Sequence, residues 1–92
     1  MTQFRWNHQK NAELKNEREI SFEQIVLAIE GEGLLDTIRH PNVDKYPNQS
    51  VFVVVFEGYV YLVPFVEEDD FYFLKTVIPS RKATRDYLQR GE

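Results

Sequence analysis

The sequence predicts an α+β fold in which an antiparallel sheet of about four strands follows two helices and precedes a third. Three observations predict it. Residues 51–78 contain three apolar runs, rich in β-branched and aromatic residues and separated by turn signals, which is typical of a β-meander. A capping box at residues 21–24 indicates a helix before the sheet. A serine at position 80 can cap another helix after it.

Length and composition favour one soluble domain in the cytoplasm. The 92 residues suffice for one hydrophobic core, so we treat residues 1–92 as a single domain. The chain has no cysteine, which excludes a disulfide framework, and it has neither the ~20 apolar residues of a membrane span nor a signal peptide. We therefore expect a cytoplasmic protein with no membrane partner. The net charge of −4 disfavours nonspecific nucleic-acid binding, although residues 71–92 carry five basic and two acidic side chains.

The first thirty residues predict a short entry segment and two helices. Residues 4–6 are an apolar entry segment, and Asn7 can cap a weakly amphipathic helix anchored by Leu14. Ser21 and Gln24 form the capping box of the second helix. Its apolar residues at positions 22, 25, 26 and 29 form one stripe, so this helix should pack on the sheet.

The middle of the chain predicts an edge strand, a long loop and the meander. Residues 34–38 form the edge strand, and residues 40–49, with two prolines and no periodicity, form the loop. The first hairpin turns at residues 57–58, where the glycine tolerates positive φ, and the second turns at four carboxylates, residues 67–70. We expect these carboxylates to be a solvated turn and not a metal site.

These turns set an expected register for the three strands. Residue 54 pairs with 61 and residue 53 with 62, while 61 and 62 pair with Thr76 and Lys75 of the third strand. Both faces of this sheet are apolar, and the first helix is too polar to cover one of them. We therefore expect Val53, Leu62 and Phe73 to stay partly exposed and to form a partner interface. The partner is another protein or a second copy of the chain.

The last predicted helix begins after Ser80, continues to about Gln89 and carries three cations in its first two turns. Its inward stripe consists of residues 83, 84, 87 and 88. Cations at a helix start oppose the macrodipole, which favours an anionic partner there. The alternative is that these cations are solvated, with Arg85 paired to a nearby carboxylate.

One polar cluster in the predicted fold suits phosphate chemistry. It combines loop residues, a strand residue and helix residues: His40, Lys45, Tyr46, Lys75, Arg81 and Arg85. Arginine and lysine hold phosphate and stabilise its transition-state charge, while histidine, lysine or tyrosine can move protons at a ribose hydroxyl. An aromatic ring such as that of Tyr46 can stack on an unpaired base. Each residue alone also has a purely structural explanation, and the sequence contains no motif for a metal or a cofactor.

Two segments carry a family resemblance. Trp-Asn-His-Gln-Lys at residues 6–10, followed by Ser-Phe-Glu at 21–23, resembles the opening of the BrnT family of ribonuclease toxins. A last strand followed by Ser-Arg-Lys-Ala-Thr-Arg at residues 80–85, with a tyrosine at 87, resembles the end of that family. The order of helices and strands is also similar to the wider RelE/ParE-like fold.

The resemblance implies the toxin of a type II toxin–antitoxin pair, a metal-independent endoribonuclease neutralised by a protein antitoxin. Lys10 matches the family's lysine, and Arg81, Thr84 and Arg85 fall within its C-terminal motif. With the chemistry above, we expect Arg81, Arg85 and Lys75 to hold phosphate and His40 or Tyr46 to transfer protons. The expected RNA-binding residues are Lys10, Lys45, Lys82 and Thr84.

The chain departs from the family where a histidine is expected. Residues 17–19 are Glu-Arg-Glu in place of Lys-His-Gly, and Leu14 replaces an asparagine. The second hypothesis is therefore a non-catalytic protein-interaction module with the same fold.

Overall fold

The computed structural model describes residues 3–88, in which three helices surround a six-stranded mixed sheet. The elements in chain order are β1 (Gln3–Trp6), α1 (His8–Arg18), α2 (Phe22–Glu30), β2 (Leu34–Arg39), β3 (Gln49–Phe56), β4 (Tyr59–Glu67), β5 (Phe71–Leu74), β6 (Ile78–Pro79) and α3 (Arg81–Leu88). The predicted α+β class is confirmed. The expected four-stranded antiparallel sheet is wrong in detail, because two further strands join it and one of them is parallel.

The strand order across the sheet is β1-β5-β4-β3-β2, with β6 paired to β4. β1 is the parallel strand, and its four residues pair with β5. We expected only an apolar entry segment here. It forms a strand because its two aromatic residues face the hydrophobic core, where the Trp6 ring stacks on Phe22 with the centroids 5.5 Å apart.

The β3–β4 hairpin has the predicted register. Val54 pairs with Tyr61, and Val53 pairs with Leu62. Its two-residue turn places Glu57 at φ 52° and Gly58 at φ 79°. Positive φ at both central positions is the geometry of a type I′ turn, whose twist matches that of the flanking strands.

The third strand of the meander differs from the prediction. The turn is tighter than four residues, because Glu68 N–H donates to Phe71 O, and the strand is therefore displaced by two residues. The predicted partners of Lys75 and Thr76 are consequently wrong. The strand also breaks at residues 75–77, where Val77 enters the core and its carbonyl accepts a hydrogen bond from Arg18 of α1.

Most of the hydrophobic core lies on one side of the sheet, which we call the core side. Its buried residues come from α1, α2, the strands and the segments that connect them: Leu14, Ile20, Phe22, Ile25, Phe52, Val54, Val63, Phe65, Leu74 and Val77. The Asn7 cap and the Ser21 capping box both form as predicted. The buried Asn11 joins the two helices, since its Nδ2 donates to Glu23 Oε1 and its Oδ1 accepts from Phe22 N–H, both at 2.8 Å.

A second, smaller cluster lies on the opposite side, which we call the α3 side. There Ala83 of α3 packs against Val53 and Val60. The expectation that Val53 stays exposed is wrong, because the chain's own α3 buries it completely. Leu62 and Phe73 are half-buried.

Candidate functional site

Helix α3 starts at an open edge of β4 and closes it with hydrogen bonds. Ser80 N–H donates to Val60 O at 3.0 Å, and Val60 N–H donates to Thr84 Oγ1 at 2.9 Å. Thr84 Oγ1 in turn donates to Ser80 O at 2.7 Å, and Ser80 Oγ caps the helix by accepting from Ala83 N–H. The cap was predicted. The Thr84 hydroxyl is engaged within the fold, and binding of RNA by Thr84 stays a prediction.

The far end of α3 is fixed to the edge strand β2. Tyr87 Oη donates to Asp36 Oδ2 at 2.9 Å, and Asp36 Oδ1 accepts from Thr37 N–H at 2.8 Å. Because β4 holds the start of α3 and β2 holds its end, the helix crosses the sheet. Asp36 belongs to no recognisable sequence motif. Its contact with Tyr87 could not be predicted from the sequence, because it depends on the order of the strands in the sheet.

The cations of α3 point away from the core. Arg81, Lys82 and Arg85 are all exposed. Asp86 lies 3.5 Å from Lys82 Nζ and 3.6 Å from Arg85 Nε, so the predicted carboxylate pairing of Arg85 is present. Arg81 forms no salt bridge within residues 3–88. It is therefore the α3 cation best placed for an external anion.

The loop residues form a second polar group. The rings of His40 and Tyr46 lie with their centroids 4.4 Å apart, and Lys45 Nζ is 5.4 Å from the Tyr46 centroid. His40 Nδ1 accepts a hydrogen bond from Asn42 N–H at 3.0 Å. The neutral imidazole then carries its proton on Nε2, so His40 can act as a base only by giving up the bond to Asn42. This geometry favours Tyr46 over His40 for proton transfer.

The loop group and the α3 cations lie at different levels of the sheet, meaning different positions along the direction of its strands. His40 is level with Gln49, to which its N–H donates, whereas α3 begins level with Val60, the partner of Val55. Six residues along β3 correspond to roughly 20 Å. Lys75 lies between these levels, because its N–H donates to Pro64 O. The predicted cluster is therefore divided into a loop group and a helix group.

Lys10 is separated from the helix group by the sheet. It lies in the first turn of α1, which packs on the core side through Leu14. Since α3 lies on the other side, one phosphate cannot contact Lys10 and the α3 cations together.

A groove runs between α3 and the sheet. It has a volume of about 290 Å³ and is lined by strand residues and one side of the helix: Ile38, Val53, Leu62, Ser80, Lys82, Ala83, Asp86 and Tyr87. Of these, Ile38 is 43% exposed. Sequence reasoning missed Ile38 as a surface residue because an apolar residue in a strand is normally assigned to a core.

Two further findings concern metals and membranes. The described residues contain no group of three or more His, Asp or Glu side chains arranged to hold a metal ion. Within residues 3–88, no helix has the length and apolar character needed to cross a bilayer.

Comparison with known proteins does not place the chain in a family. No family model, no curated protein and no solved structure matches it.

Proposed function

We propose that this chain is the toxin of a type II toxin–antitoxin pair, a metal-independent endoribonuclease that a protein antitoxin neutralises. The observation that carries the proposal is the placement of residues 80–85. The Ser-Arg-Lys-Ala-Thr-Arg segment that resembles BrnT toxins is fixed to the edge of β4 through Ser80 and Thr84, and its three cations remain exposed. Helices on both sides of a mainly antiparallel sheet also accord with a RelE/ParE-like fold.

The residue chemistry assigns a role to each group. Arg81 and Arg85 hold the phosphate at the cleavage position, because guanidinium groups form paired, charge-assisted hydrogen bonds with phosphate oxygens. Lys82 adds positive charge to the same helix. Solvent water takes the proton of the ribose 2′-hydroxyl, the 2′-oxygen attacks the adjacent phosphorus, and the P–O5′ bond breaks as the 5′-oxygen leaves and takes up a proton from water. The cations of α3 stabilise the charge of that transition state without a metal ion.

The loop group binds the substrate further along. Tyr46, whose ring packs at a tilt against His40 and next to Lys45, offers a ring for an unpaired base. Because the groups lie roughly 20 Å apart along the sheet, the substrate that contacts both is an extended single strand. Lys75 lies between the two levels and contacts the phosphates in between.

The test is RNA cleavage by the purified protein in the presence of a chelator. We expect cleavage in chelator, growth arrest on expression, and loss of both in an Arg81→Ala, Arg85→Ala double variant. Lys15→Ala is the matched control, since Lys15 is an exposed cation on α1. Cleavage that disappears with chelator would contradict the metal-independent mechanism, and a protein that neither cleaves RNA nor arrests growth is not a nuclease toxin.

The second candidate is a non-catalytic protein-interaction module. The separation of the two polar groups favours it, because a compact catalytic centre needs its acid, base and anion-binding groups around one phosphate. The half-buried Leu62 and Phe73 on the α3 side also accord with a protein partner, either an antitoxin or a second copy. Under this hypothesis the Arg81→Ala, Arg85→Ala double variant still binds the partner, and neither the unmodified protein nor the variant cleaves RNA.

A further inference from the structure

The sheet carries an apolar surface that neither of its hydrophobic clusters includes. Next to α3, on the same side of the sheet, lie five half-buried residues: Val51, Pro64, Val66, Phe71 and Phe73. We call them the open face. Within residues 3–88, none of the five belongs to the core-side cluster or to the cluster under α3. A contiguous apolar surface of this kind on a small protein marks an interaction site.

The register shows that these residues are neighbours. Val51 pairs with Pro64, and Val66 pairs with Phe73, so the residues form two adjacent rows across β3, β4 and β5. The groove beside α3 continues this surface through Leu62 and the exposed Ile38, which pairs with Val51. The open face and the groove together form one surface that a segment of extended or helical chain can lie along.

Cations border this surface. Arg5 pairs with Phe73 in the ladder between β1 and β5, and its guanidinium carbon lies 4.5 Å from the centroid of the Phe71 ring. Lys75 is exposed beside Pro64, and Lys82 lines the groove. Within the described part of the chain, neither Arg5 nor Lys75 forms a salt bridge. In a protein with a net charge of −4, this border is locally positive.

The carboxylates near the surface are already engaged or lie at its end. Asp36 accepts hydrogen bonds from Tyr87 and from Thr37 N–H, and Asp86 is paired with two cations of α3. The acidic turn at residues 67–70 adjoins only the Phe71 end. The two cations without a salt bridge therefore flank different parts of the open face, Arg5 at Phe71 and Phe73 and Lys75 beside Pro64.

We infer that the open face and the groove bind an amphipathic segment of a partner protein whose apolar residues are flanked by carboxylates. Apolar side chains of that segment cover the open face, and its carboxylates pair with Arg5 and Lys75. A second copy of this chain would instead show as dimerisation in the test below. The inference specifies the partner in the proposed function and rests on that part of it alone, so it is independent of nuclease activity.

The test uses the whole chain and two synthetic amphipathic helices of the same apolar sequence. One carries Glu on the flanks of its apolar stripe, and the other carries Lys at the same positions. By fluorescence anisotropy, we expect the Glu peptide to bind about tenfold tighter than the Lys peptide, and less tightly as salt is added. Lys75→Glu should lower that affinity about tenfold, because it places like charges opposite each other, whereas Lys15→Glu on α1 should change it less than about twofold.

A second variant probes the apolar part of the surface. Phe73→Thr keeps a residue with high strand propensity and should weaken binding of both peptides, while circular dichroism and thermal unfolding verify that the variant folds. Equal affinity for the two peptides, or affinity that Lys75→Glu and Phe73→Thr leave unchanged, would overturn the inference. So would concentration-dependent dimerisation that either variant abolishes, since the occupant would then be a second copy. These experiments measure peptide binding and not RNA cleavage. A negative result here would therefore disprove the partner surface without bearing on the nuclease, and a negative cleavage assay would do the reverse.

Discussion

Thr84 is the residue whose replacement tests the placement of α3 most directly. Its hydroxyl accepts from Val60 N–H and donates to Ser80 O, and Val60 is fully buried. Thr84→Val preserves the β-branched shape but leaves the Val60 N–H without a partner and without access to water. An unsatisfied buried donor costs about 1–3 kcal/mol.

This cost translates into a measurable loss of thermal stability. For a chain of this size, 1 kcal/mol lowers the melting temperature by roughly 4–8 °C, so a cost of about 2 kcal/mol lowers it by roughly 8–16 °C. Thr84→Ser is the matched control, because it keeps the hydroxyl and loses only a methyl group.

The assay combines urea unfolding with amide hydrogen exchange. Trp6 fluorescence reports the core in which its ring stacks on Phe22, and the exchange rate of the Val60 amide reports the bond itself. If Thr84→Val unfolds at the same urea concentration as Thr84→Ser, and the Val60 amide remains equally protected, then Thr84 does not hold α3 to β4.

Three further predictions concern other polar and close contacts. Asn11→Ala should destabilise the protein by about 1–3 kcal/mol in urea unfolding, because Phe22 N–H loses its acceptor in a buried site. Gly33→Ala should destabilise it as well, measured as a lower melting temperature, since the added Cβ would lie 2.7 Å from Val55 O. Burial, followed by the nearby charge of a carboxylate, raises the pKa of Tyr61 above 10.0, so its neutral form contributes stability below pH 10.0 that is lost as the pH rises through the higher folded pKa. Tyr61→Phe should reduce this alkaline loss of stability, and an absorbance titration of the variant should lose one tyrosine that ionises above pH 10.0.

Local signals in the sequence predicted the parts of the fold that local chemistry determines. The Asn7 cap, the Ser21 capping box and the Glu57-Gly58 turn each depend on residues within four positions of one another, and all three form. The register of β3 with β4 followed because a two-residue turn allows only one alignment.

The features that the sequence did not predict depend on distant residues. β1 pairs with β5, which lies more than sixty residues further along the chain. The four residues of β1 contain no sequence pattern from which this pairing could be predicted. The acidic turn was ambiguous, because four carboxylates are compatible with any loop that keeps them in water. The structure resolves it as a tighter turn, which keeps Glu67 in the strand opposite Tyr72.

The sequence predicted features of individual residues of the candidate site but not the distances between them. The exposure of Arg81, Lys82 and Arg85 and the cap of their helix followed from sequence, since both depend on the periodicity of one short helix. The distance between that helix and the His40 loop depends instead on the eight-residue length of β3, which separates the two levels. For this reason residues of matching chemistry do not meet around one phosphate.

The way α3 is attached explains how a helix with unfavourable charges keeps its position. Its described part, Arg81–Leu88, has eight residues, a length that is not stable alone in water, and its first turns hold cations that oppose the helix dipole. It buries little surface, because Ala83 is its only buried residue in the described range. Hydrogen bonds through Thr84 at the start and Tyr87 at the end therefore determine where the helix lies. Both anchors bind to the sheet and neither uses a cation, so the charges of Arg81, Lys82 and Arg85 are left for solvent, for Asp86 or for a bound anion.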